Sequence, residues 1–188
     1  MVQSQLPHRT LILLDRDGVI NYDSDDYIKS PEEWIPLPGS LEAISLLCAR
    51  GYKVAVVSNQ AGVKKGKLSA ENLQKITEKM KESVREKQGD LHQIYYCLHL
   101  PEENCLCRKP QPGMLLAAAE YFRLPLEQAF FVGDRDSDVQ AAQASGAQAV
   151  LVKTGKGARD LAKFPEKFKN VPVYADLAEF VRELTSKE

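Results

Sequence analysis

Two aspartates set two residues apart, Asp15 and Asp17 in LILLDRDGVIN, are the strongest chemical signal in this chain. In an extended backbone alternate side chains share a face, so both carboxylates are expected to point one way and Arg16 the other. Carboxylates that close repel each other unless a cation lies between them. Mg²⁺ is the natural choice, because it is hard, takes few carboxylates and keeps positions open for phosphate oxygens. One carboxylate can then attack phosphorus and form an aspartyl-phosphate, while the other handles the proton at the leaving oxygen. Gly18 would let the backbone approach a phosphate closely.

Taken alone, Asp-Arg-Asp-Gly reads equally well as a strand-ending turn. Residues elsewhere in the chain decide between the two readings. Asp134 and Asp138 follow a second apolar run in FFVGDRDSD, the place for a third metal carboxylate. Asp136, between them, is read as surface. Ser58, after KVAVV, offers a hydroxyl to phosphate oxygens, and Asn59 offers backbone and amide donors. Lys109, in CRKP, can neutralise charge growing on a transferred phosphoryl group.

A second constellation lies in YCLHLPEENCLCRKP, where Cys97-x-His99 is followed by Cys105-x-Cys107. Four soft ligands this close together predict a closed, structural Zn²⁺ site of the Cys₃His kind. A disulfide would need oxidising surroundings, and Cys105 and Cys107 are too near each other to pair readily. The zinc would pin a loop ending in Arg108-Lys109. Cys48 lies at an apolar helix position and reads as core. His8 and His92 have no partner pattern. Trp34 reads as a loop anchor, and Lys64, Lys65 and Lys67 as a solvated face.

The elements that must position these residues are legible as an alternation. Short apolar runs at 10–14, 53–57, 93–96, 129–132 and 149–152 read as buried parallel strands. Helical patterns at 40–50, 69–87, 113–122, 137–145 and 176–184 separate them, and 155–170 reads as a surface connection with a short helix. The expected architecture is a single α/β domain over residues 1–188, with a central parallel sheet flanked by helices. Ligands in such sheets sit beyond the carboxyl ends of the strands, where the first, second and fourth runs deliver Asp15, Ser58 and Asp134. The 188 residues suffice for one core, and a net charge of -1 argues against nucleic acid as the main partner. No run reaches the length of a membrane span, and the opening reads as no signal peptide, so a cytoplasmic monomer acting on a small molecule is expected.

Asp-Arg-Asp-Gly, Ser-Asn-Gln, the lone Lys109 and Gly-Asp-x-x-x-Asp, in this order, resemble the four motifs of haloacid dehalogenase (HAD) phosphatases. The resemblance implies a Rossmann-like HAD fold, with Asp15 as nucleophile and Asp17 as general acid/base. Ser58 and Lys109 would hold phosphate, and Mg²⁺ would be held by Asp15, Asp134 and the backbone carbonyl of Asp17. Asp138 would reach the metal through water or support Asp134. About forty residues separate Asp17 from Ser58, and the next gap is also short, so no cap domain is expected. Two capless HAD families carry a Cys-x-His…Cys-x-Cys loop: the D-glycero-D-manno-heptose 1,7-bisphosphate 7-phosphatases, of lipopolysaccharide precursor synthesis, and the histidinol-phosphate phosphatases. VINYDSDDYIKSPEEWIPLPGSLEAI, SNQAGVKKGK, CRKPQPGML and TGKG are similar to the heptose enzymes. By that resemblance Asp23–Asp26 would meet sugar hydroxyls, with Asp23 and Asp26 the named contacts. Ser58, Asn59, Gln60 and Ala61 would line the pocket, while Arg108 and Arg135 would hold the substrate or its distal phosphate.

Overall fold

A computed structural model describes residues 10–186; the lead carrying His8 lies outside the described residues. The strands are β1 (Leu11–Leu14), β2 (Lys53–Asn59), β3 (Gln93–Cys97), β4 (Phe130–Gly133), β5 (Gln148–Val152) and β6 (Val173–Tyr174). The helices are α1 (Ser40–Ala49), α2 (Ala70–Glu86), α3 (Gly113–Phe122), α4 (Asp136–Ser145), α5 (Gly157–Lys163) and α6 (Leu177–Ser186). The strands form one sheet in the order β3-β2-β1-β4-β5-β6, with every neighbouring pair parallel. β6 has only two residues, too few for any periodic pattern to announce it.

The apolar strands are explained by burial on both faces. In β1, Ile12 and Leu14 join the core under α1, α2 and α6, while Leu11 and Leu13 join the core under α3 and α4. Val54 and Val56 of β2 face the first core, and Ala55 and Val57 the second. α2 begins where the Ser69 side chain accepts the Asn72 N–H at 3.0 Å, and buries Leu73, Ile76, Met80 and Val84 at helical spacing. Cys48 is half-buried, and its Sγ lies 3.4 Å from Asp90 O.

β1 has β2 on one side and β4 on the other, so the chain switches direction across the sheet between β1 and β4. The carboxyl ends of these two strands therefore open into one crevice. Trp34 is fully buried in the loop before α1, where Lys79 of α2 donates to Pro31 O at 2.6 Å and Trp34 O at 3.0 Å. It anchors the loop and does not line the crevice. Among the described residues no further domain is inserted between these elements, and no helix is long and apolar enough to cross a membrane.

Candidate active site

Asp15 is the first residue beyond β1 and is tied to β4 by its N–H, which donates to Val132 O at 2.9 Å. Asp134 is the first residue beyond β4, and Asp138 lies in the first turn of α4. Carboxylate oxygens of these three buried residues lie within 4.8 Å of one another. Lys109 is buried beside them, with Nζ 3.0 Å from Asp15 Oδ1, 2.8 Å from Asp138 Oδ1 and 2.9 Å from Val57 O. One ammonium cannot balance three buried carboxylates. Burial first, then the Asp138 and Asp15 charges, push Asp134 well above the ordinary carboxylate range. Burial and the Asp15 charge, opposed by Lys109, bring Asp138 up to about 6.

Asp134 Oδ1 is buried with no hydrogen-bond partner, while its Oδ2 accepts the Lys156 N–H at 2.7 Å. An orphaned oxygen inside an excess of negative charge fits a metal cation. Asp138 turns Oδ2 toward the backbone N–H groups of Asp134 and Arg135, at 3.2 and 3.1 Å, and so braces that turn.

The Asp17 carboxylate lies outside this cluster, and protein donors meet its charge. After Asp15 the chain turns back, with the Ile20 N–H donating to Arg16 O at 2.8 Å. Arg16 consequently folds beside Asp17 instead of pointing away. Its Nε and Nη2 grip the Asp17 carboxylate at 3.0 and 2.9 Å. Asn21 and Gln60 add donors at 2.8 and 2.9 Å. Burial alone would raise the Asp17 carboxyl, but Arg16, Asn21 and Gln60 together hold it below the ordinary value.

Ser58 and Asn59 are the last two residues of β2, not residues beyond it. Ser58 is buried and accepts from Gln60 Nε2 at 3.0 Å. Asp15, Asp17, Ser58, Asn59, Gln60, Ala61 and Lys109 all border one cavity of about 770 Å³, as do Arg108 and Arg135 at its mouth. Asp136, expected at the surface, also lines this cavity and pairs with Lys167 at 2.5 Å.

The acidic loop enters with a different register from that expected. Asp23, Ser24 and Asp25 line the cavity, whereas Asp26 turns outward to Lys29 at 2.5 Å. The loop pivots at Tyr27, whose φ of 62° reverses the backbone just after Asp26. Of the three lysines read as a solvated face, Lys64 pairs with Glu103 and Lys65 lies 5.8 Å from the Tyr27 ring centroid, on the cavity wall.

Cys97, His99, Cys105 and Cys107 form a second cluster, with ligand atoms all within 4.8 Å. Cys107 Sγ lies 3.4 Å from both Cys97 Sγ and Cys105 Sγ and 3.3 Å from His99 Nδ1. A tetrahedron with metal–sulfur arms of about 2.3 Å has edges of about 3.8 Å, so the group is close to a zinc cage. All four cysteines of the chain are free thiols. The loop continues directly into Arg108, whose N–H donates to Cys105 Sγ at 3.3 Å and whose Nη1 donates to His99 O at 3.3 Å.

Two contributors went unrecognised in the sequence. Arg16 is fully buried and also lies 5.9 Å from the Tyr96 ring centroid; its position inside the Asp-Arg-Asp motif was the available signal. Lys156, in a segment expected to be a surface connection, lines the cavity and pairs with Asp23 and Asp25 at 3.0 and 2.8 Å. The TGKG stretch was its signal.

Comparison with known proteins agrees with this geometry. A family model described as "HAD-hyrolase-like" matches residues 106–180. The D-glycero-beta-D-manno-heptose-1,7-bisphosphate 7-phosphatase of Pseudomonas putida KT2440 is 50% identical over 175 residues, covering 93% of this chain and 98% of its own. The enzyme of the same name from Pseudomonas aeruginosa PAO1 is 47% identical, covering 90% of this chain and 94% of its own. Among solved structures, the D,D-heptose 1,7-bisphosphate phosphatase from B. bronchiseptica, complexed with magnesium and phosphate, superposes with a TM-score of 0.90 at 40% identity. That match covers 95% of this chain and 99% of the other. With this shared length and fold, the chain belongs to the D-glycero-beta-D-manno-heptose-1,7-bisphosphate 7-phosphatase family of HAD hydrolases.

Proposed function

We propose that this chain is a phosphoric monoester hydrolase that removes the 7-phosphate of D-glycero-D-manno-heptose 1,7-bisphosphate. The observation that carries the reading is the Asp15–Lys109–Asp138–Asp134 cluster at the switch point of the sheet, in a chain half identical to enzymes of that name. Asp15, Asp134 and the backbone carbonyl of Asp17 would hold Mg²⁺, which would supply the positive charge that lets a phosphate dianion approach a carboxylate.

In the first half-reaction an Asp15 oxygen attacks phosphorus, the bond to the sugar oxygen breaks, and Asp17 gives that oxygen a proton. Asp17 must first leave Arg16 and Gln60 and take up a proton, and it is this proton that passes to the leaving oxygen. Lys109 and the Ser58 hydroxyl hold the phosphoryl oxygens as charge redistributes. In the second half-reaction Asp17 takes a proton from water, the resulting oxygen attacks the aspartyl-phosphate, and Asp15 is released with inorganic phosphate. Asp138 keeps Lys109 and the 134–135 turn in place. Cys97, His99, Cys105 and Cys107 would hold a structural Zn²⁺, which would keep Arg108 and Lys109 aimed at the site. Arg108 and Arg135 take the distal phosphate, while Asp23, with Asp25 in place of Asp26, faces the sugar hydroxyls.

The test is a phosphate-release assay with Mg²⁺ that compares heptose 1,7-bisphosphate with histidinol phosphate. A clear preference in kcat/KM for the bisphosphate is expected. Equal or better turnover of histidinol phosphate would move the chain to the other capless, zinc-loop activity while leaving the phosphatase chemistry in place.

A further inference from the structure

The turn between β5 and α5 reaches both the metal-side carboxylate and the acidic loop through a single residue. The Lys156 backbone N–H donates to Asp134 Oδ2 at 2.7 Å. The Lys156 Nζ lies 3.0 Å from Asp23 Oδ2 and 2.8 Å from Asp25 Oδ1, on a side chain only 17% exposed. Behind this bridge lies a smaller cavity of about 310 Å³, and Asp23, Asp25 and Lys156 line both it and the main one. The bridge is a partition between the two spaces.

The two ends of the bridge differ in rigidity. At the Lys156 end, Thr154 Oγ1 donates to Gly18 O at 2.7 Å. A Cβ on Gly155 would come within 2.5 Å of Gly18 Cα, so this turn is packed directly on the turn that follows Asp15. The far end is tied at its flanks instead, where the Tyr22 N–H donates to Ile35 O at 3.0 Å and Asn72 Nδ2 donates to Lys29 O at 2.8 Å. Residues 22–29 contain no helix or strand, and the Asp25 side chain is 85% exposed. Two like charges placed side by side on a loop without regular structure repel, and a cation between them sets where they point.

We propose that Lys156 is a positioning residue for substrate selection: its ammonium carries the rigid geometry of the Asp134 side of the site out to Asp23 and Asp25, and so holds the acidic loop where sugar hydroxyls are read. The inference rests on the sugar-phosphatase reading above. Its side chain touches no group of the phosphoryl-transfer cluster. Lys156→Met keeps the apolar stem and the backbone N–H to Asp134, and removes only the ammonium.

The experiment measures kcat/KM with Mg²⁺ for heptose 1,7-bisphosphate, heptose 7-phosphate and p-nitrophenyl phosphate, on the wild type, Lys156→Met and Lys156→Arg. Relative to p-nitrophenyl phosphate, Lys156→Met should lose about tenfold on both heptose esters, mainly through KM, and Lys156→Arg should recover most of it. A loss confined to the bisphosphate would mean that Lys156 grips the distal phosphate itself, and would overturn the positioning role. Equal losses on all three substrates, or no loss, would overturn it too. Should Lys156→Met fail to fold, Lys156→Gln also removes the ammonium while keeping the backbone N–H and should shift the same ratio about as far; an unshifted ratio counts against the proposal. A wild type that shows no preference for the heptose esters would instead bring down the substrate reading, and this inference with it, before any variant is compared.

Discussion

Asn59 and Lys109 exchange two hydrogen bonds: the Lys109 N–H donates to Asn59 Oδ1 at 3.1 Å, and Asn59 Nδ2 donates to Lys109 O at 3.0 Å. The end of β2 and the end of the loop carrying Cys105 and Cys107 are thereby locked together at the residue whose ammonium meets Asp15. Asn59→Ala leaves both backbone groups of Lys109 without these partners, at a cost of about 1–3 kcal/mol each where they stay dry. Steady-state kinetics should show kcat/KM down by roughly ten- to a hundredfold. Asn59→Asp should be worse, because it turns a carboxylate oxygen toward the Lys109 carbonyl.

Asp15→Asn should reduce phosphate release by at least about three powers of ten, as expected when the nucleophile of a cooperating set is lost. Lys109 retains Asp138 at 2.8 Å and Val57 O at 2.9 Å, so the fold should persist, with a melting temperature within about 5 °C of the wild type. Turnover near the wild-type rate would remove Asp15 from its role. Asp17→Asn should be severely impaired as well, because both half-reactions need its proton.

Gly155 has φ +57°, and a Cβ there would lie 2.2 Å from Asp134 Oδ2. Gly155→Ala must therefore displace the carboxylate assigned to Mg²⁺, and the Mg²⁺ concentration for half-maximal activity should rise about tenfold, equivalent to about 1.4 kcal/mol. Gly51→Ala is the control. Its φ is +85° with nothing within 4 Å of the added Cβ, so it should cost about 1–2 kcal/mol of stability without changing the Mg²⁺ titration.

Protein purified without added metal should contain about one zinc per chain by elemental analysis. Cys107→Ala removes the sulfur that lies within 3.4 Å of three other ligand atoms. Zinc content and kcat/KM should fall together, because the loop that ends in Arg108 and Lys109 loses its pin. Full activity in zinc-free protein would show that the loop needs no metal to aim these cations.

Arg108→Ala should lower kcat/KM for the bisphosphate more than for a simple monophosphate ester, by the roughly 1.5–3 kcal/mol of a lost charged contact. Arg108 is anchored by its backbone to Cys105 and by its side chain to His99 O, so it stands at the cavity mouth beside Lys109. A uniform loss on both substrates would indicate that the change disturbs Lys109 and not the distal phosphate.

What the sequence determined alone was whatever is written locally. Four-residue β1 is apolar throughout because parallel strands are covered on both faces, and the polar residues directly after β1 and β4 mark the ligand edge of such a sheet. The Cys97-x-His99 and Cys105-x-Cys107 pairs announce four soft side chains that the fold brings within 4.8 Å of one another. Tertiary structure decided which partner each charge received. Strict alternation makes Arg16 the outward residue of an extended strand, but β1 ends at Leu14 and the turn at Ile20 swings Arg16 onto Asp17. Asp25 faces the cavity and Asp26 does not, since a loop without helix or strand has no period to fix its register, and a positive φ at Tyr27 sets it instead. The Lys- and Gly-rich stretch around Lys156 reads as surface because nothing local in it reveals that Gly18 and Asp134, distant in sequence, leave room at Gly155 only for a bare backbone. Such close approaches exist only once the sheet has brought β1, β4 and β5 side by side.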